Sequence, residues 1–143
     1  MKIIIDTNII FSALLNTNSV IGEYLLDPIS KFQFYSTEFV LDELDKYHDK
    51  LLKYSKLTDA QLKTSKVQIF KRLTLISDIA ISIDHWNVAY DVLKEIDPKD
   101  IPFLATALSL DGIIWTGDKK LIKGLRSKGF KNIVVDTDGL QLL

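Results

Sequence analysis

Lys2-Ile3-Ile4-Ile5-Asp6-Thr7-Asn8 decides the fold. Three β-branched residues in succession, with no polar residue among them, describe a strand buried on both faces, which is the pattern of a parallel sheet. The run stops abruptly at Asp6. Outward from it, residues 9–15 and Val20–Leu26 read as helices, the second closed by Asp27-Pro28. Residues 32–35 read as a second strand, with Ser36-Thr37 supplying capping chemistry for a helix that carries Val40, Leu44, Tyr47 and Leu51 at helical spacing. A more polar helix spans residues 59–72, with Leu62, Ile69 and Leu73 facing inward. A strand follows within residues 73–81, and Asp84 opens a helix through Trp86, Ala89, Tyr90 and Leu93. Asp97-Pro98-Lys99-Asp100 is a turn into a helix with Ile101, Leu104, Ala105 and Leu108 on one side, stopped by Asp111-Gly112. Ile113–Trp115 is a strand, a basic helix runs to Ser127, and residues 133–135 form another strand. Strands alternating with helices predict an α/β sandwich around a mainly parallel sheet.

The chain has 143 residues, 47% of them hydrophobic and 26% charged, which suits one domain over residues 1–143 with a real core. Its formal net charge of -1 gives no global cationic field to draw it onto nucleic acid, so a passive nucleic-acid binder is disfavoured. An enzyme holding an anionic substrate through bound cations stays open. Cysteine is absent, which excludes disulfides, Cys-ligated zinc, iron–sulfur clusters and a thiol nucleophile. No apolar run approaches the ~20 residues that span a bilayer, so no membrane association is expected. Asp6 and Asn8 interrupt the start of a secretory-type apolar run, which predicts a cytoplasmic protein.

Acids collect where the chain leaves its strands. Asp6 follows the first strand directly, and Asp118 lies three residues beyond Ile113–Trp115. Asp100 opens the helix leading into that strand, and Glu43 sits one turn into the helix after the second strand. In a parallel sheet ligands bind at the carboxyl ends of the strands, where Asp6 and Asp118 share one edge and Glu43 and Asp100 begin helices packed beside it. Glu43 neighbours Val40 and Tyr47 within an apolar stripe, and a carboxylate at such a rim needs a partner. Two carboxylates about 5 Å apart repel by roughly 3 kcal/mol at an effective dielectric near 20. Four gathered acids make six pairs and on the order of 10–20 kcal/mol, against a net domain stability of about 5–15 kcal/mol. Protons or divalent cations must relieve that repulsion, and an all-carboxylate set suits Mg²⁺ or Mn²⁺. Asp6, Asp100 and Asp118 also stand where helix N-caps belong, each worth about 1 kcal/mol, so both readings remain open. Asp97, Asp111, Asp136 and Asp138 read as turn residues, with Asp97 the candidate helper. The basic stretch 119–131 is a solvated face or an RNA track. His48 and His85 have surface or packing roles, and Trp86 and Trp115 belong to the core.

Residues 2–10, Lys2-Ile3-Ile4-Ile5-Asp6-Thr7-Asn8-Ile9-Ile10, resemble the opening of PIN domains, whose first strand ends in Asp-Thr/Ser-Asn. Val40-Leu41-Asp42-Glu43-Leu44 is similar to their second motif, residues 97–108 to the third, and Ile114-Trp115-Thr116-Gly117-Asp118-Lys119-Lys120-Leu121 to the fourth. Four motifs in order over nearly the whole chain make a specific signal, closest to the small prokaryotic VapC-like branch described as toxins of toxin–antitoxin pairs. The resemblance implies a three-layer α/β/α sandwich and an Mg²⁺- or Mn²⁺-dependent endoribonuclease that hydrolyses RNA phosphodiesters with metal-activated water. It implies that Asp6, Glu43, Asp100 and Asp118 hold the metal and carry catalysis, with Asn8 and Thr116 orienting them by hydrogen bonds. Of the third motif's two acids, Asp100 is favoured over Asp97 by its spacing to Ala105. A cognate antitoxin and a homodimer are the implied protein partners.

Two rivals stand beside this. A haloacid-dehalogenase-like phosphatase would use Asp6 as nucleophile, but that signature needs an acid where Asn8 stands and another near Leu121 and Ile122. A non-catalytic RNA- or partner-binding module on a degenerate nuclease fold is countered by the intact acid set.

Overall fold

The computed structural model describes residues 1–143. Five strands, β1 (Lys2–Ile5), β2 (Gln33–Thr37), β3 (Leu73–Ile76), β4 (Ile113–Trp115) and β5 (Val134–Val135), form one sheet in the order β3-β2-β1-β4-β5, with every neighbouring pair parallel. β1 is the middle strand, and Ile3, Ile4 and Ile5 are wholly buried, as a two-faced strand requires.

Helices α1 (Thr7–Leu15) and α2 (Val20–Leu26) join β1 to β2, and α3 (Phe39–Lys46), α4 (His48–Ser55) and α5 (Asp59–Phe70) join β2 to β3. α6 (Ile83–Leu93) and α7 (Ile101–Leu110) carry the chain back across the sheet to β4, α8 (Lys119–Ser127) leads to β5, and α9 (Thr137–Gln141) follows. Right-handed crossovers place the helices before β3 on one face and α6–α8 on the other. The packing agrees: α1 lies against α2, α3, α4 and α5, whereas α7 lies on β1, β2 and β4 with α6 over it. The result is a three-layer α/β/α sandwich. No single helix is long and apolar enough to cross a membrane.

Several local expectations change. The helix expected to run from Thr37 past Leu51 breaks at Tyr47 (φ -105°, ψ 17°), and the bend lets α4 pack on α1 with Leu51 fully buried. Ser36 and Thr37 do not cap it: both belong to β2, and the Ser36 hydroxyl donates to the Ile5 carbonyl at 2.8 Å. The strand within 73–81 ends at Ile76, and Asp78 opens a single 3-10 turn. Residues 131–133 form another such turn, leaving only Val134–Val135 as strand. Helix α7 is buried at Phe103, Leu104, Ala105, Thr106 and Ala107, more than one stripe, because it is sandwiched between sheet and α6. Trp115 is in the core, but Trp86 is only half-buried, its indole N–H donating to the Asp78 carbonyl at 3.3 Å. Asp136 caps the unexpected α9 by accepting from the Gly139 N–H at 2.7 Å. Between α7 and β4, Asp111 takes the left-handed conformation (φ 52°) and Gly112 lies so close to the Ile4 side chain that a Cβ would collide with it.

Candidate functional site

The strand order reverses direction between β1 and β4, the switch point at which an open α/β sheet leaves a crevice beyond its carboxyl ends. Asp6 follows β1 and Thr116-Gly117-Asp118 follows β4. Because Ile5 is in register with Trp115, Asp6 and Thr116 leave the sheet side by side. The buried Thr116 hydroxyl donates a hydrogen bond to Asp6 Oδ2 and accepts from the Asp118 backbone N–H at 3.0 Å. One hydroxyl thus ties the two strand-end acids together. Helix α7 ends close to the amino end of β4, so its own N-terminus, with Asp97 and Asp100, returns to the same edge.

Capping and convergence prove compatible. Asp6 Oδ1 accepts from the Ile9 N–H at 3.0 Å, and Asp118 Oδ1 accepts from Lys120 and Leu121 at 2.9 and 3.2 Å. The second oxygen of Asp118 carries no hydrogen bond to the protein. Asp100 makes no capping bond, whereas Asp97 accepts from the Lys99 N–H at 3.1 Å. Carboxylate oxygens of Asp97, Asp100 and Asp118 all lie within 4.8 Å of one another. Asp6 and Glu43 stand outside that tight group but line the same cavity of about 580 Å³.

The tightest carboxylate contacts lie among three acids, and the repulsion reaches Asp6 and Glu43 as well. Burial, helped by the charges of Asp97, Asp6 and Asp118, pushes the Asp100 carboxyl up to about 8. Burial also raises Asp6, to about 6, against the stabilising bonds from Thr116 and Ile9. Burial and the Asp97 charge raise Glu43, while Lys99 and Lys46 pull it down. The Thr7 hydroxyl beside Glu43 pulls the same way as these lysines but falls short of a hydrogen bond, leaving Thr7 Oγ1 buried and without a partner. No lysine or arginine pairs with any of these acids: the two ion pairs of the chain join His48 to Asp59 and Lys94 to Asp91.

Unpaired carboxylates around a cavity that also holds an orphaned hydroxyl fit a hard divalent cation with its retained waters, since every available donor is oxygen. Asn8 lines the cavity too, but it is exposed and its side chain bonds to none of the acids. The basic stretch 119–131 contributes nothing to the cavity, and α8 buries Leu121, Ile122 and Leu125 while its cations face solvent. His48 links α4 to α5 through Asp59 and Lys66, at 2.8 and 3.1 Å, and is no part of the site. Sequence reasoning ranked Asp97 below Asp100, yet both belong to the tight group; the Asp-Pro-Lys-Asp spacing, one turn apart, was the available signal. It missed Phe11, Tyr47, Lys50, Tyr54 and Lys99 as cavity residues, because nothing local distinguishes them from solvated or core positions.

A model of the PIN domain family matches residues 4–138. An uncharacterized protein of Methanocaldococcus jannaschii is 33% identical over 126 residues, covering 85% of this chain and 74% of its own. Among solved structures, a chain of VapBC2 from Rickettsia felis, bound to a DNA fragment from their promoter, superposes with a TM-score of 0.65 at 16% identity, covering 95% of this chain and 98% of that one. A chain of VapBC-1 from nontypeable Haemophilus influenzae gives 0.66 at 18% identity, with 96% and 99% covered. At these identities the structural likeness concerns the fold.

Proposed function

Because this chain belongs to the PIN domain family, we propose that it is an endoribonuclease that hydrolyses RNA phosphodiesters with Mg²⁺ or Mn²⁺ at the acidic cavity. The observation that carries this reading is the convergence of Asp97, Asp100 and Asp118 within 4.8 Å, unpaired with any cation, beside the buried Asp6. Asp97, Asp100, Asp118 and Asp6 would hold the ion, with Glu43 lining the same cavity. When bound, the ion supplies charge neutralisation at the phosphodiester and a water of lowered pKa. The chain's own part is positional. Thr116 fixes Asp6 against Asp118, the Ile9 N–H and Thr116 hydroxyl orient the two oxygens of Asp6, and the Leu121 N–H holds one oxygen of Asp118, so the carboxylates need little reorganisation to bind. Lys99, exposed at the cavity mouth, favours an entering phosphate.

A phosphatase with Asp6 as nucleophile is disfavoured: Asn8 stands where that signature needs a second acid, and Asp6 is 2% exposed. On the same reading the protein partners are a cognate antitoxin, as in a toxin–antitoxin pair, and a second copy of the chain. Co-expression with the product of an adjacent short reading frame tests the first, and light scattering the second. The central experiment is cleavage of a labelled RNA with Mg²⁺ or Mn²⁺. Asp6→Asn and Asp118→Asn keep a cap acceptor, since Asn caps as well as Asp, so they remove charge while sparing the fold. Cleavage is expected to stop in both and in EDTA. Wild-type rates in folded variants, or indifference to EDTA, would refute the mechanism.

A further inference from the structure

The cavity extends beyond its acids along α4. Tyr47, Lys50 and Tyr54 follow one another at spacings of three and four and all line it, together with Phe11 of α1. Phe11 holds the Tyr47 ring edge-on at 5.7 Å (70°), whereas Tyr54, which also lines the cavity, is 58% exposed. Lys46 and Lys53 lie 5.4 and 5.6 Å from the Tyr47 and Tyr54 ring centroids. None of Lys46, Lys50, Lys53 and Lys99 has an ion-pair partner, although five carboxylates line the same cavity as Lys50 and Lys99. Lys99 and Lys46 act on Glu43 through space, but no wall cation closes onto a carboxylate, so their ammonium groups keep their donors open to a ligand. A ligand matched to both halves must be anionic at the wall, present planar faces to the tyrosines, and reach the floor through a cation. A polynucleotide strand has that alternation of phosphate and base, and aromatic rings interleaved with lysines bind such strands by stacking and charge together.

Resting on the nuclease reading above, we propose that the α4 wall is a nucleotide subsite of that same site. Tyr54 stacks on the base of a nucleotide flanking the scissile phosphate, and Lys50 holds the neighbouring phosphate. A base must leave its own helix to lie on Tyr54, so the wall selects unpaired strands.

The test measures binding of a fluorescent ten-nucleotide RNA, single-stranded or in a blunt duplex, by anisotropy with Mg²⁺ in the Asp118→Asn background, which suppresses cleavage. Hydrolysis of bis(p-nitrophenyl) phosphate, which has no nucleobase and no flanking phosphate, is followed in otherwise wild-type protein. Tyr54→Ala is expected to weaken single-strand binding about 5- to 150-fold with an unchanged salt slope, and Tyr54→Phe to restore it. Lys50→Ala is expected to weaken binding and flatten the log–log salt slope by about 0.7. In both variants cleavage of single-stranded RNA should fall more than hydrolysis of the small diester. Unchanged single-strand affinity in Tyr54→Ala, or equal loss for duplex and single strand, overturns the subsite and returns the wall to a protein partner. If wild-type protein hydrolyses neither RNA nor the small diester, the nuclease reading fails, while the anisotropy result still decides the subsite.

Discussion

Replacing Asp100 by Asn should stabilise the metal-free protein at alkaline pH and do nothing for it in acid. Asp100 lies within 4.8 Å of both Asp97 and Asp118. At an effective dielectric near 20, one such pair of charges repels by about 3.5 kcal/mol, so the two together approach 7 kcal/mol before solvent screening. The carboxyl sits at about 8 instead of 3.8, raised first by burial and then by these neighbours. That gap is worth about 6 kcal/mol at ~1.4 kcal/mol per pH unit, and partial exposure reduces it to roughly 2–4 kcal/mol. The sign follows from proton uptake. A carboxyl whose folded pKa is raised binds its proton more tightly when folded, so its contribution is complete below about pH 4 and disappears as pH rises through about 8. Asn is neutral throughout and escapes that loss. In EDTA at pH 8.5, Asp100→Asn should therefore unfold about 5–15 °C above wild type, taking about 2–4 °C per kcal/mol for a chain of this size. Below pH 4.5 the two should nearly coincide. The measurement is thermal unfolding by far-ultraviolet circular dichroism at both pH values. Saturating Mn²⁺ should close or reverse the alkaline gap, because only the complete acid set gains fully from the ion. Equal midpoints at pH 8.5, or a variant less stable at both pH values, would refute the shared electrostatic field.

Asp6 adds to the same trend: rising from 3.8 to about 6 on folding, it removes stability between about pH 4 and 6, so wild-type chemical denaturation midpoints in EDTA should fall across that window. Mg²⁺ or Mn²⁺ at a hundred times its dissociation constant should raise wild-type stability by about 2.7 kcal/mol in urea titrations, and much less in Asp118→Asn. Thr116→Val removes the donor to Asp6 and the acceptor of the Asp118 N–H, and should cost about 1–3 kcal/mol in EDTA while lowering cleavage; a variant as stable and active as wild type would show that the hydroxyl link does not position the acids. Gly112→Ala should destabilise by about 1–3 kcal/mol with cleavage per folded molecule unchanged, because its Cβ meets Ile4 far from the cavity.

Much of this molecule was legible along the chain. A two-faced strand is announced by consecutive β-branched residues, and residues 3–5 are indeed wholly buried in the central strand. Alternating patterns identified the parallel sheet, since each parallel connection needs a crossover long enough to write a helical period. What misled were positions where two local explanations agree on residue type. Ser36 and Thr37 suit a helix cap, but the ladder between β1, β2 and β3 claims them. The apolar stripe through Tyr47 has helical spacing whether or not the backbone bends there, because both helices bury residues on the same side.

For the acidic cavity the division is similar. Residue type and strand-end position are one-dimensional facts, so the chain alone marked Asp6, Glu43, Asp100 and Asp118 as candidates with Asp97 as a helper, and predicted that a parallel sheet would carry Asp6 and Asp118 to one edge with Glu43 and Asp100 on helices beside it. Distances are not one-dimensional. That Asp97, Asp100 and Asp118 close to within 4.8 Å while Glu43 stays apart depends on how α7 seats on the sheet. The Thr116–Asp6 bond depends on the register of β1 against β4. The lysine and tyrosine wall exists only because the break at Tyr47 turns α4 onto α1. Short-range backbone and side-chain preferences select the elements; the packing of distant, separately specified surfaces decides which of their polar groups meet.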